Sequence, residues 1–257
     1  MNLLFTICAR AGSKGVKGKN IRNFLELPIV YYTLSAYQMF ANRYREDYEK
    51  MVLAINTDSE ELIEQLKRTK IEYIVIPRQE ILAGDIVAKT DVIKDTVKQT
   101  ENLSNMKFEV VIDLDVTSPL RRKEDIKGVI ETLVRNKESD VAFSVADSRR
   151  SPYFNMVCEN SDGFYEVMIR KGYVSRQQAP KCYDMNASIY AYRREFILND
   201  TTYSVFDGKA VVWKMTDTGI LDIDNEEDFE LMEILAKYFY DKYALYQEIY
   251  TGIQSII

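Results

Sequence analysis

The segment LLFTICARAGSKGVKGKNI, residues 3–21, joins an apolar run to a basic, glycine-rich loop. Residues 3–8 have the apolar, partly β-branched character of a buried strand. Glycines and cations then alternate in the loop: the glycines are Gly12, Gly15 and Gly18, and the cations are Arg10, Lys14, Lys17 and Lys19. Glycines let backbone N–H groups approach an anion, and lysines neutralise its charge, so the pattern indicates a phosphate site.

Two familiar phosphate-binding loops do not match this segment. Its glycines are spaced GxxGxxG, whereas the dinucleotide fingerprint needs GxGxxG and an acidic residue after the second strand. A P-loop has four residues between its glycines before Lys-Ser/Thr, but five residues separate Gly12 from Gly18, and Asn20 replaces the hydroxyl. A solvated basic turn is the remaining alternative, and the density of cations and glycines makes it the weaker interpretation.

Apolar runs typical of strands alternate with helical patterns along most of the chain. The predicted strands are 3–8, 51–56, 72–77, 108–116 and 140–146, and the predicted helices are 28–40, 57–68, 90–100, 122–135 and 226–250. This alternation predicts one α/β domain over residues 1–257, with a mostly parallel sheet and helices on both faces. Ligands bind such sheets at the carboxyl ends of the strands. The pattern becomes irregular, polar and aromatic at 148–183, which we interpret as an insertion.

Composition excludes several classes of protein. A net charge of −6 and an isoelectric point near 5.0 argue against a nucleic-acid-binding surface. The chain has no histidine, which excludes Ser-His-Asp triads, Cys-His dyads and His-ligated metals. Its cysteines, Cys8, Cys158 and Cys182, form neither a CxxC pair nor a disulfide framework. No run has the length of a membrane span, so we expect a soluble, cytoplasmic protein that binds neither nucleic acid nor membrane.

The loop ARAGSKGVKGKNI, residues 9–21, resembles the signature A-R-x-G-S-K-x-x-x-x-K-N of the acylneuraminate cytidylyltransferases, or CMP-sialic acid synthetases. Further matches follow in order: NTDSEEL (56–62), RQEILAGD (78–85), TSPLR (117–121), RQQAPKCYDMNASIY (176–190) and LDIDNEEDFEL (221–231). The resemblance implies a Rossmann-like nucleotidyltransferase sheet. It also implies that CTP is coupled to a 2-keto sugar acid, sialic acid or a related nonulosonic acid, with release of pyrophosphate.

The resemblance also implies roles for individual residues. The expected nucleotide-binding residues are Arg10, Ser13, Lys19, Asn20, Arg78, Ala83 and Gly84, of which the last three surround the cytosine. The expected catalytic residues are Arg10, Lys19 and Asp222. Asp222 and Asp224 would hold Mg²⁺, since two carboxylates two residues apart at a strand end point the same way. Capping of the 226–250 helix is the alternative role for Asp224.

Three further residues are expected at the sugar: Asp115, Arg176 and Asn186. Asp115 departs from the family, whose LQPTSPLR segment has glutamine there, and a carboxylate repels an anionic substrate unless it meets a hydroxyl, an amino group or a metal. Legionaminic, pseudaminic and other nonulosonic acids therefore stay open as substrates.

Residues 148–183 correspond to the family's dimerisation segment, so a homodimer is expected. Transfer to 3-deoxy-octulosonate, use of another nucleoside triphosphate, and an inactive nucleotide-binding paralogue are the alternatives.

Overall fold

The computed structural model of the chain describes residues 1–12, 15–84, 86–216 and 223–257. These ranges contain eleven strands: β1 (Asn2–Cys8), β2 (Asn23–Phe24), β3 (Leu27–Pro28), β4 (Lys50–Thr57), β5 (Ile74–Pro77), β6 (Val110–Leu114), β7 (Val141–Asp147), β8 (Val157–Glu159), β9 (Tyr165–Val167), β10 (Tyr183–Arg193) and β11 (Ala210–Lys214). They also contain seven α-helices: α1 (Ile29–Arg43), α2 (Glu60–Lys67), α3 (Lys89–Ser104), α4 (Lys123–Arg135), α5 (Arg194–Leu198), α6 (Glu226–Lys242) and α7 (Ala244–Ile256).

Seven of these strands form one sheet in the order β11-β7-β10-β6-β1-β4-β5. β1 pairs in parallel with β4 and β6, β4 with β5, and β7 with β11, whereas β10 runs antiparallel between β6 and β7. The mostly parallel sheet predicted from the alternating pattern is therefore confirmed. Because β1, β4, β5 and β6 run the same way, their carboxyl ends meet at one edge of the sheet.

Side chains along the central strands alternate between two cores. Leu3, Phe5 and Ile7 of β1 face one core, and Leu4 faces the other; all four are fully buried. The first core is covered by α1, α2, α4, α6 and α7, and the second by α3 and α5. Each such side chain contributes roughly 1.5–3 kcal/mol by leaving water. Burial on both sides explains why strand β1 is almost continuously apolar, and it confirms helices on both faces.

Residues 148–183 contain a small hairpin outside the main sheet. Its strands β8 and β9 pair antiparallel with each other. Several large apolar side chains of this stretch are exposed: Val157, Phe164, Tyr165, Met168 and Val174. The hairpin therefore contributes little to the two cores and leaves an apolar surface uncovered.

Three helix boundaries differ from the sequence-based expectations. The helix predicted over 226–250 is two helices, because Tyr243 adopts an extended conformation (φ −124°, ψ 117°) that breaks the hydrogen-bond ladder between α6 and α7. The helix predicted to begin at residue 57 begins at Glu60, and Ser59 caps it, with its Oγ accepting from the N–H of Leu62 at 3.1 Å. Pro28 is the residue before α1 and not part of its first turn.

No helix in the described ranges is both long enough and apolar enough to cross a membrane.

Candidate active site

A cavity of about 520 Å³ opens at the edge of the sheet where β1, β4, β5 and β6 end. Its lining includes most of the residues that the sequence analysis assigned to substrates or to Mg²⁺: Arg10, Lys19, Asn20, Arg78, Gly84, Asp115 and Asp224. These residues come from four separate parts of the chain. The fold therefore assembles one site from motifs that the sequence shows only as an ordered series.

The basic loop after β1 is packed against residues 223–224. A Cβ atom on Gly15 would lie 1.7 Å from the carbonyl oxygen of Asp224, so only glycine allows this approach. The Nζ of Lys19 donates to the carbonyl oxygen of Ile223 at 2.7 Å. Gly18 has a φ of +63°, which favours glycine and turns the loop back towards α1. Arg10 and Lys19 of this loop therefore line the same cavity as Asp224.

Arg10 links the loop to the segment expected to surround the base. Its Nη1 donates to the carbonyl oxygen of Ala83 at 3.2 Å, and its own carbonyl oxygen accepts from Nδ2 of Asn20 at 3.0 Å. Gly84 is the next residue after Ala83 and lines the cavity. Arg10, Asn20, Ala83 and Gly84 therefore lie together, whereas Ser13 and Asp222 lie outside the described residues.

Arg78 follows β5 and is fixed by the end of the neighbouring strand β4. Its Nε donates to Oδ1 of Asn56 at 2.7 Å, and its Nη2 donates to the carbonyl oxygen of Asn56 at 3.2 Å. Burial lowers the pKa of this guanidinium from its ordinary value, although arginine stays protonated near neutrality. Asn56 therefore fixes the orientation of the Arg78 guanidinium in the lining of the cavity.

Asp115 follows β6 and is bound by a lysine that the sequence analysis missed. The Nζ of Lys89, the first residue of α3, lies 2.8 Å from Oδ2 of Asp115 and 2.8 Å from Oδ2 of Asp113. Oδ1 of Asp115 accepts from the backbone N–H and the hydroxyl of Thr117 at 2.9 and 2.7 Å. Burial raises the pKa of Asp115, but Lys89 and Thr117 outweigh it and hold that pKa well below its usual range. The carboxylate is therefore a fixed negative charge.

The same ion pairs shift the pKa of Lys89 in the opposite direction to that of Asp115. Burial lowers the pKa of Lys89, but Asp113 and Asp115 more than compensate and raise it well above its ordinary value. The signal that sequence reasoning could have used was Asp113, a carboxylate in the otherwise apolar run VVIDL of β6. A buried carboxylate requires a cationic or hydrogen-bonding partner, so a lysine elsewhere in the chain was to be expected.

A fully buried arginine connects β6 to an irregular part of β10. Arg121 donates from Nε to the hydroxyl of Ser188 at 3.1 Å, and from Nη2 to the carbonyl oxygens of Ser188 (2.9 Å) and Asp115. Burial lowers its pKa to about 10. The β10 pairing shifts register between Met185 and Tyr190, and within this bulge Ala187 has a φ of +48° and lines the cavity.

Asn186 supports this bulge from inside the protein. Its Oδ1 accepts from the hydroxyl of Ser144 at 2.6 Å, and its Nδ2 lies 3.2 Å from the sulfur of Met215. The side chain is buried, and it is the neighbouring Ala187 that lines the cavity. The sugar contact expected for Asn186 stays a prediction, and its observed contacts are those of a structural residue.

Arg176 lies apart from the cavity in its own chain. It is exposed and lines a separate depression of about 360 Å³, together with Asp147 and Lys214. The structure therefore does not bring Arg176 together with Asp115 within one copy of the chain. Its role at the sugar stays a prediction.

Asp224 is available for a role other than capping. The N-cap of α6 is Asn225, whose Oδ1 accepts from the N–H of Asp228 at 2.9 Å, and Asp224 itself is exposed. In the described ranges no three His, Cys, Asp or Glu side chains form a ready-made metal site. Mg²⁺ commonly takes only one or two carboxylates and completes its shell with phosphate oxygens and water. One exposed carboxylate beside the basic loop suits that mode of binding.

Residues 4–248 match the family model described as cytidylyltransferase. The chain belongs to the cytidylyltransferase family. This match covers nearly the whole chain and confirms the resemblance seen in the loop and in the later motifs. As a member of the family the chain is a nucleotidyltransferase.

Two characterised relatives are similar over almost their full lengths. One is the post-translational flagellin modification protein B of Campylobacter coli, which is 37% identical over 91% of this chain and 95% of the relative. The other is the CMP-N,N'-diacetyllegionaminic acid synthase of Campylobacter jejuni, which is 38% identical over 91% of this chain and 94% of the relative. A solved CMP:2-keto-3-deoxy-manno-octonic acid synthetase complexed with CTP shares the fold, with a TM-score of 0.61 at 15% identity over 93% of this chain and 99% of that one.

Proposed function

We propose that this cytidylyltransferase couples CTP to a nonulosonic acid, giving a CMP-sugar and pyrophosphate, and that the sugar is N,N'-diacetyllegionaminic acid or a close relative of it. The observation that carries the proposal is the single cavity that joins Arg10, Lys19 and Arg78 to Asp115 and Asp224. Arg10 and Lys19 suit a triphosphate and Arg78 suits the base, while the two carboxylates suit a metal ion and a polar sugar. The 38% identical relative named for N,N'-diacetyllegionaminic acid supports this choice of sugar.

Transfer of a nucleotidyl group needs positioning and charge neutralisation more than covalent chemistry from the protein. Arg10 and Lys19 would neutralise the charge that develops on the phosphates, and Asn20 would hold the loop through the Arg10 carbonyl oxygen. Arg78, with Ala83 and Gly84, would bind the base. Mg²⁺, held by Asp224 and by Asp222 outside the described residues, would supply Lewis-acid stabilisation of the phosphate oxygens.

Asp115 would meet the sugar. Because its carboxylate only accepts hydrogen bonds, it favours sugars that present a hydroxyl or N–H group, and it opposes groups that only accept. The 5- and 7-acylamino groups of a diacetamido nonulosonic acid supply such N–H donors. Lys89 and Thr117 hold the Asp115 carboxylate in place. This supports a role for Asp115 in distinguishing one sugar acid from another, since a fixed acceptor is more selective than a mobile one.

The proposal includes a homodimer in which residues 148–183 meet a second copy. Exposed apolar side chains on this segment, such as Phe164 at 72% and Val174 at 90% exposure, support an interface there. The separation of Arg176 from the cavity of its own chain supports delivery of this arginine to the site of the second copy. The cytoplasmic location expected from the sequence stays a prediction.

The test is pyrophosphate release by the purified protein with Mg²⁺, CTP and a panel of acidic sugars. The panel contains N,N'-diacetyllegionaminic, pseudaminic, N-acetylneuraminic and 3-deoxy-octulosonic acids, and UTP, GTP and ATP are run beside CTP. We expect release with CTP and N,N'-diacetyllegionaminic acid to exceed every other pair. Preference for 3-deoxy-octulosonate or for another nucleotide would replace the proposed substrates. Binding of CTP without turnover of any sugar would favour an inactive paralogue.

A further inference from the structure

Lys89 lies between a carboxylate that is sealed inside the protein and one that borders the cavity. Its Nζ is 2.8 Å from each, and the lysine itself lines the cavity. The side chain of Asp113 is 0% exposed, whereas that of Asp115 is 27% exposed. Asp113 therefore cannot contact a substrate directly, but Asp115 can. No role in the reaction has so far been assigned to Lys89.

The contacts of Asp115 leave its carboxylate little freedom. An ionised carboxylate has about four acceptor positions. Thr117 occupies two of them on Oδ1, and Lys89 occupies one on Oδ2. The backbone is held as well, because the carbonyl oxygen of Asp115 accepts from Arg121 and from Thr33, the latter at 3.2 Å. About one acceptor position thus remains for a ligand, and without Lys89 the Oδ2 atom would have no fixed partner.

We propose that Lys89 is a positioning residue for the sugar acid: it holds the carboxylate of Asp115 so that one acceptor position meets a hydroxyl or N–H group of the substrate. This inference rests on the proposed function and adds a residue to the same site. Lys89 acts through Asp115 and does not itself bind the sugar. The ammonium also reduces the repulsion between two carboxylates and an anionic substrate.

A purely structural role for Lys89 makes a different prediction. Burial of the Asp113 carboxylate is costly without a cation, and Thr6 supplies only one hydrogen bond to it, at 2.8 Å. If Lys89 serves only to neutralise Asp113, it becomes dispensable once Asp113 is replaced by a neutral isostere. If Lys89 positions Asp115, it stays necessary in that background. The Asp113→Asn variant therefore separates the two roles.

The experiment compares Asp113→Asn with the double variant Asp113→Asn/Lys89→Met. The double variant loses the ion pair between Lys89 and Asp115, which Asp113→Asn keeps. Relative to Asp113→Asn, its KM for N,N'-diacetyllegionaminic acid should rise about 10-fold or more, and its KM for CTP should change by no more than about 2-fold. The melting temperatures of the two variants should agree within about 3 °C. Lys89→Arg in the same background keeps a cation that can pair with Asp115, and its sugar KM should lie within about 3-fold of that of Asp113→Asn.

Two results overturn the inference. One is an equal sugar KM in Asp113→Asn and in the double variant, since Lys89 would then only neutralise Asp113. The other is a joint rise in the KM values for sugar and CTP, because a positioning role through Asp115 predicts an effect on the sugar alone. Lys98→Met is the matched control, as Lys98 is an exposed lysine on the same helix α3.

The wild-type protein and the Lys98→Met control also separate this inference from the proposed function. If both release pyrophosphate with CTP and N,N'-diacetyllegionaminic acid, the function holds, and the variants at Lys89 test the inference alone. If neither does, the proposed function fails first and the inference fails with it. A failure confined to the Asp113→Asn series leaves the proposed function intact.

Discussion

Asp115 and Asp224 line the same cavity, but the carboxylate of Asp115 is restrained by hydrogen bonds whereas that of Asp224 is exposed. Asp115 is held by Lys89 and by Thr117 through both of its oxygens. Asp224 is exposed, and among the described residues its restraints act on its backbone, through the close approach of Gly15 and a hydrogen bond from its N–H to Asp228. A restrained carboxylate suits one directional hydrogen bond, whereas an open carboxylate keeps its oxygens for a cation and phosphate. This difference is our reason for proposing Asp115 for the sugar side of the reaction and Asp224 for the phosphate side.

The largest expected effect comes from Asp224→Asn. The amide keeps the size of the side chain but loses the charge that a divalent cation needs, so turnover should fall about 100-fold or more. Because the residue is exposed, the free energy of unfolding should change by less than about 0.5 kcal/mol. Pyrophosphate release at saturating CTP and Mg²⁺ measures the first value, and urea unfolding measures the second.

Glu227→Gln is the control for this variant, since Glu227 is a nearby exposed carboxylate in the first turn of α6. It should keep turnover within about 2-fold of wild type. Near-normal turnover in Asp224→Asn would remove Asp224 from the phosphate side of the comparison.

Asp115→Gln should give the next largest effect, and on a different quantity. Glutamine offers a donor as well as an acceptor and breaks the ion pair with Lys89. The ratio of kcat/KM for N-acetylneuraminic acid to that for N,N'-diacetyllegionaminic acid should rise about 10-fold, while CTP affinity should change by no more than about 2-fold. A collapse of CTP binding with an unchanged sugar ratio would show that Asp115 belongs on the nucleotide side.

The smallest expected effect is on the free energy of unfolding and on its dependence on pH. The pKa of Asp115 is held below its usual range in the folded protein, so its ion pair with Lys89 contributes its full stability above about pH 4, and that contribution declines as the pH falls from there towards the lower pKa of the folded state. Asp115→Asn should therefore be less stable than wild type by about 1 kcal/mol near pH 7, and this difference should shrink near about pH 3. Urea unfolding at both pH values measures it. A difference that does not change with pH would trace the loss to packing.

Most of the nucleotide side of the site was predictable from the sequence. Arg10, Lys19 and Asn20 lie in one short loop, and Arg78, Ala83 and Gly84 lie in another, so their residue types and spacing are visible without a structure. The rule that ligands bind at the carboxyl ends of parallel strands then brings the two loops together. All of them except Ala83 line the cavity, and Ala83 accepts a hydrogen bond from Arg10, while their individual roles stay predictions.

The sugar side was less predictable, because it depends on contacts between distant residues. Lys89 lies 26 positions before Asp115 along the chain, and nothing in the local pattern joins them. Arg121, at the end of TSPLR, is fully buried and supports a bulge near residue 187, although arginine is seldom fully buried and the local sequence gives no sign of it. The bulge itself depends on the register between β10 and β7, which no periodicity in either strand reveals.

The sequence by itself determined the alternation of strands and helices, the basic loop after β1 and the family to which the chain belongs. These features depend on local composition and periodicity, which the chain carries whatever its neighbours are. Only the tertiary structure decided that β10 runs antiparallel, that Tyr243 separates α6 from α7, that Arg176 lies apart from the cavity, and that Lys89 joins Asp113 to Asp115. Such contacts follow from strand order, register and packing between distant segments, where burial and charge pairing outweigh local propensity.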